Sequence, residues 1–169
     1  SRRFLTKHYE QKSDWNEVIH YLSPVAENLP LSALKMLINA YIQTKNIRQA
    51  DSIIKIPLSQ PNVSLETYLL AAEVYALKSR STNDNLISQP AKDALFKLLK
   101  TAQQTYPRSY KVYNAWLGYL EEFVPHHSFE ALKVLEDMSK SKLPMKPKYY
   151  SLLCKYNHQS GFTKQTKET

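Results

Sequence analysis

The stretch that decides the fold is Glu130-Ala131-Leu132-Lys133-Val134-Leu135-Glu136-Asp137-Met138, which leads through Lys146-Pro147 to Tyr149-Tyr150-Ser151-Leu152-Leu153. Ala131, Val134, Leu135 and Met138 recur at steps of three and four residues, the stripe of a helix that buries one face. Proline removes a backbone donor and clashes with the preceding turn, so the Lys146-Pro147 link is a place for a helix end. Tyr149, Leu152, Leu153 and Tyr156 then begin the stripe again. The unit is helix, short link, helix.

The same unit recurs upstream. Leu34, Leu37, Ile38, Tyr41 and Ile42 form one stripe, with Ile47, Ala50, Ile53 and Ile54 behind it. Tyr68, Ala71, Ala72 and Tyr75 form the next, followed by Ala94, Leu95, Leu98, Leu99 and Ala102. Tyr113, Trp116, Leu117 and Leu120 lead into the stretch quoted first. Pro30, Pro57, Pro61, Pro90, Pro107, Pro125, Pro144 and Pro147 fall between stripes and are expected at helix ends. Pro24 is the exception and is expected at the frayed end of a first helix pair, over about residues 2–12 and 14–26.

Leu34, Tyr68, Tyr113 and Tyr149 open the leading helices, at spacings of 34, 45 and 36. The long spacing contains the polar run 79–90, which reads as an inserted loop. A ruler that skips the insertion, from Ala50, Ala94 and Ala131 to the next leading helix, gives 18, 19 and 18. A small residue there lets two helices approach closely. The expected architecture is all-α, a right-handed α-solenoid of helix–turn–helix repeats with about four helix pairs. Residues 1–29 are expected to form an N-terminal pair, 30–157 the repeats, and 158–169 a basic flexible tail.

Composition agrees. Hydrophobic residues at 43% and charged ones at 22% suit a folded domain of 169 residues. Two glycines are too few for a hairpin-rich β fold or a phosphate-cradling loop, both of which lean on positive φ. The net charge of +8 and pI near 9.4 suit a polyanionic partner. Cys154 stands alone, so no internal disulfide is available. No apolar run is long enough to span a bilayer. Ser1-Arg2-Arg3 is compatible with the remainder of a trimmed targeting segment or with an arbitrary boundary.

These motifs resemble the pentatricopeptide repeat family. Leu37-Ile38-Asn39-Ala40-Tyr41, with Ile47 and Ala50 behind it, fits its pattern, and the stretch from Glu130 to Leu153 fits better. Tyr113-Asn114-Ala115-Trp116-Leu117 opens the intervening repeat, while the repeat from Tyr68 to Tyr75 is degenerate. The resemblance covers roughly residues 30–157. Tetratricopeptide repeats share the period, but Trp116-Leu117-Gly118-Tyr119 is contiguous where their motif is spaced. With the residues that follow, through Phe123, it is similar to one helix of a half-a-tetratricopeptide repeat.

The resemblance implies single-stranded RNA held on the leading-helix face, one base per repeat. Carried over, the base-facing positions are Lys35, Leu69, Asn114 and Tyr150, with Ser64, Ser109 and Met145 closing their repeats. Asn114 would pair with a base edge, Lys35 would meet a phosphate and Tyr150 would stack. Leu69 offers no polar work. The resemblance also implies the mitochondrial matrix, in transcript processing, stability or translation. A structural role in a mitochondrial ribosome or similar complex, among other proteins and ribosomal RNA, is the alternative, and a tetratricopeptide-like peptide adaptor the third.

Charge adds candidates. From Met138 onward Lys140, Lys142, Lys146, Lys148, Lys155, Lys164 and Lys167 stand against Glu168 alone. Interleaved with Tyr149, Tyr150 and Tyr156, they suggest phosphate tracking and stacking, with core tyrosines on a solvated end-cap as the alternative. Arg108 and Lys111 join Lys146 and Lys148 as candidate RNA contacts. Cys154 and His158 lie four apart, but a structural zinc site takes four ligands, and a buried thiol is expected instead. His126-His127 reads as a loop. Glu121-Glu122 and Glu136-Asp137 are adjacent and point about 100° apart on a helix, so neither forms a carboxylate dyad. Trp15 and Trp116 are expected in the core. No catalytic set, metal or cofactor is expected.

Overall fold

The computed structural model describes residues 14–81 and 85–165 of the chain. Among them eight α-helices follow one another: α1 Trp15–Leu22, α2 Leu31–Gln43, α3 Ile47–Leu58, α4 Leu65–Arg80, α5 Asn85–Thr105, α6 Tyr110–Phe123, α7 Ser128–Lys140 and α8 Pro147–Gln165. A 3₁₀ segment, Ser23–Asn28, follows α1 and contains Pro24. Among the described residues there is no strand. The expected all-α helical repeat is what the chain forms.

Local chemistry sets the helix starts. Asp14 accepts from the Glu17 amide at 3.4 Å and caps α1, and Ser64 accepts from the Thr67 amide at 3.2 Å and caps α4. Pro147 occupies the first position of α8, where its missing donor costs nothing. With only two glycines available, three turns carry other residues in the left-handed region: Lys45 at φ 58°, His126 at φ 54° and Lys142 at φ 58°.

The helices form two compact units, residues 1–98 and 99–169. In the first, α1 to α4 and the first part of α5 surround Val18, Leu22, Leu37, Ile38, Ala50, Ile54, Ala71 and Val74. The Tyr41 hydroxyl donates to Ser23 Oγ at 3.0 Å, so a buried phenol stays satisfied. In the second unit the core holds Tyr113, Leu117, Leu120, Ala131, Leu135, Met138, Tyr149 and Tyr156. There the Tyr113 hydroxyl donates to the Pro107 carbonyl at 3.1 Å. The small residues Ala50 and Ala131 are fully buried, as close helix approach requires.

Several boundaries differ from the sequence reading. Most of the expected loop over 79–90 is helical: α4 runs to Arg80, α5 starts at Asn85, and 82–84 lie outside the described residues. The extra length of that repeat lengthens its helices to 16 and 21 residues, against 13 and 12 for α2 and α3. Pro90 in α5 and Pro57 in α3 both lie inside helices, each removing one backbone bond that the rest of the helix outweighs. In α5 Ala91 is buried, one turn before the half-buried Ala94. The described part of the expected tail, 158–165, is helical, since α8 continues to Gln165; the rest lies outside the described residues. So does the helix expected over 2–12.

Candidate nucleic-acid interface

The leading helices of the second unit are α6 and α8, and side chains 34 or 35 residues apart tie them in register. Lys148 Nζ donates to Asn114 Oδ1 at 2.9 Å, the Tyr149 hydroxyl donates to the same oxygen at 2.9 Å, and Lys155 Nζ meets Glu121 at 3.3 Å. The Tyr110 hydroxyl donates to the Pro144 carbonyl, again at an offset of 34. The repeat seen in the sequence is thus a physical ladder of contacts.

At the start of both helices the rings align. Tyr110 and Tyr149 stack with centroids 5.8 Å apart and planes 6° from parallel. Lys146 Nζ sits 4.2 Å from the Tyr110 ring centroid, and Lys148 Nζ sits 4.7 Å from that of Tyr149. Each exposed cation–π contact is worth about 0.5–1 kcal/mol, enough to orient the lysines while leaving their charge intact. Arg108 and Lys111, both exposed, flank Tyr110 in sequence. Among the described residues, none of Arg108, Lys111, Lys146 and Lys148 forms an ion pair with a carboxylate. The edge keeps its positive charge.

Other cations are neutralised. Lys35 meets Glu66 at 2.6 Å, Lys78 meets Asp51 at 2.6 Å, and Lys140 meets Glu136 at 2.7 Å. The Lys140 hydrogen bond and charge hold the Glu136 carboxyl below its ordinary pKa. Lys35, expected to meet a phosphate, is occupied by a carboxylate instead.

The candidate base-reading positions fare unevenly. Asn114 is exposed, but its oxygen already accepts two bonds, from Lys148 and Tyr149. Leu69 is half-buried, and the Ser64 hydroxyl is engaged by Thr67 as a helix cap. Tyr150 alone keeps the expected role open, at 58% exposure beside the ladder. Tyr149 and Tyr156, grouped with it as stacking residues, are core residues instead, because they face α6 and α7 rather than solvent. The Tyr156 phenol is pushed above its ordinary pKa chiefly by burial.

Cys154 is exposed rather than buried, since it lies on the outer face of α8 with His158, also exposed. No group of three or more His, Cys, Asp or Glu among the described residues is arranged to hold a metal. Trp15 and Trp116 are half-buried. His126 and His127 occupy the turn between α6 and α7. There His127 Nδ1 faces the Val124 carbonyl at 3.1 Å, and its ring packs edge-on against Tyr156 at 5.6 Å. No helix in the described residues is long and apolar enough to cross a membrane.

The sequence reading missed Tyr110. It placed the start of the leading helix at Tyr113, one turn later. The signal was present in the offset of 34 that pairs Tyr110 with Pro144 and Asn114 with Lys148.

The chain is similar to a thermophilic TPR protein of Thermus thermophilus, known from a crystal structure, with a TM-score of 0.63 and 15% identity. The match covers 95% of this chain and 84% of that one. The fold is a TPR-like helical repeat. No family model matches the sequence, and no curated protein matches it. At this identity the likeness speaks of architecture alone.

Proposed function

We propose that this chain is a non-catalytic helical-repeat module that docks on RNA through the basic edge of its second unit, holding the phosphate backbone without reading sequence. The observation that carries the reading is the arrangement of Lys146, Tyr110, Tyr149 and Lys148, in which cations rest on rings instead of carboxylates. Arg108 and Lys111 extend that edge, and exposed Tyr150 supplies a π face for an unpaired base. Phosphate contacts position a protein on nucleic acid, whereas base-edge contacts specify sequence. Occupation of Asn114, Lys35 and Ser64 by intramolecular partners favours docking over readout.

The same proposal includes an organellar setting, the mitochondrial matrix, which rests on the pentatricopeptide resemblance. A structural component docked on ribosomal RNA or a similar complex fits the occupied base-facing positions better than a sequence-reading transcript factor does. Titration against random and defined single-stranded RNAs tests the docking reading. The expected result is equal affinity for all of them, unchanged in rank by Asn114→Asp. A sequence preference that Asn114→Asp shifts would restore readout. No RNA affinity at low salt would leave the peptide adaptor.

A further inference from the structure

The link between α7 and α8 carries an unusual residue at its sharpest point. Lys142 has φ 58°, a conformation that crowds the Cβ of any L residue and that glycine adopts freely. The turn is well held: Ser141 Oγ donates to the Met138 carbonyl at 2.6 Å, and the Lys142 amide donates to the Ser139 carbonyl at 3.2 Å. One residue later Leu143 is buried, and the next carbonyl, that of Pro144, accepts from Tyr110. With consecutive Cα atoms about 3.8 Å apart, the Lys142 Cα lies no more than about 7.6 Å from that of Pro144. The turn therefore holds the Lys142 backbone close to the start of the edge on which Tyr110 and Lys146 meet. Lys142 is exposed and has no ion pair among the described residues, in contrast to Lys140, which Glu136 neutralises.

We infer that Lys142 is a phosphate contact of this edge, extending the track from Lys146 and Lys148 onto the α7–α8 turn, and that it occupies its place at a conformational cost to the fold. The inference rests on the docking reading above and adds a contact to it. The molecule contains its own control. Lys45, in the turn between α2 and α3 of the first unit, has the same φ of 58° and is also exposed. There too a preceding hydroxyl, Thr44 Oγ1, donates back to a helix carbonyl, Ala40 at 2.9 Å. Lys45 shares the strain without belonging to the track.

The test uses the full chain, thermal unfolding, and the affinity for a short oligouridylate over a range of salt concentrations. Lys142→Gly and Lys45→Gly should each raise Tm by about 2–4 °C, by releasing the Cβ crowding. Only Lys142→Gly should flatten the salt dependence, by about 0.7 in the slope of log K against log salt, the loss of one contact to a single strand. Lys142→Gln should flatten it equally with no gain in Tm, separating charge from backbone. If Lys142→Gly and Lys142→Gln keep the parent slope while loss of Lys146 and Lys148 lowers it, the inference about Lys142 fails and the docking reading stands. If none of these changes moves the slope, both fail. Equal flattening by Lys45→Gly would also overturn the inference, and an unchanged Tm in Lys142→Gly would overturn its conformational half.

Discussion

The two units use the same helical pair for different electrostatic ends. The first, residues 1–98, has 12 Lys and Arg against 9 Asp and Glu; the second has 11 against 6. The arrangement matters more than the count. In the first unit Lys35 and Lys78 cross between helices to Glu66 and Asp51, so their charge is spent within the protein. In the second unit Lys146 reaches the Tyr110 ring and Lys148 the Asn114 amide oxygen, which hold the ammonium groups without cancelling them. The partner that faces a lysine from the neighbouring helix thus decides whether its charge is cancelled or kept.

Removing the ring that supports the ladder should have the largest effect. Tyr149→Ala opens a fully buried site and is expected to cost about 3–5 kcal/mol in chemical denaturation. Its neighbour Tyr150 should reverse the pattern: Tyr150→Ala leaves stability within about 0.5 kcal/mol. The same variant should weaken single-stranded RNA binding by about 1–3 kcal/mol, through loss of a stacking face. Equal effects on folding from the two tyrosines would break the distinction between core and surface at this edge. Next comes Gly118, in α6, where an added Cβ would meet nothing within 4 Å. Gly118→Ala should stabilise the chain by about 1 kcal/mol and leave RNA affinity unchanged. A loss of affinity would mean that the outer face of α6 takes part in docking.

Alkaline pH should affect both units, and modestly. Burial raises the Tyr75 phenol in the first and the Tyr156 phenol in the second above the ordinary 10.0; Asp51 adds to the former, and Lys155 opposes the latter. A raised phenol pKa means that the folded state favours the neutral form. Its contribution to stability is therefore whole below 10.0 and is lost as pH rises through the folded values. Tm measured across that range should fall as absorbance at phenolate wavelengths rises, and a flat Tm would contradict the assignment.

The helices and most of the core were legible because apolar periodicity responds to burial alone. The stripes through Leu37 and Ile38, Ala71 and Ala72, and Leu135 and Met138 all face inward. Two features were not. The polar run after Ser79 reads as a loop, yet Asn85 to Pro90 is helical, because context outside the local sequence carries the chain through a proline. Nor does sequence polarity reveal what a polar side chain touches. Lys35, Asn114 and Lys148 look alike as surface groups, and only the 31- and 34-residue offsets between helices decide which is paired with acid and which is not.

The most direct test is the salt dependence of binding to single-stranded RNA, measured for the parent chain, for Lys146→Gln/Lys148→Gln, and for Lys35→Gln/Lys78→Gln. Loss of two second-unit contacts should flatten the slope of log K against log salt by about 1.4, and the first-unit pair should leave it unchanged. Equal slopes in all three proteins, or flattening by the first-unit pair alone, would contradict a phosphate-docking edge confined to the second unit.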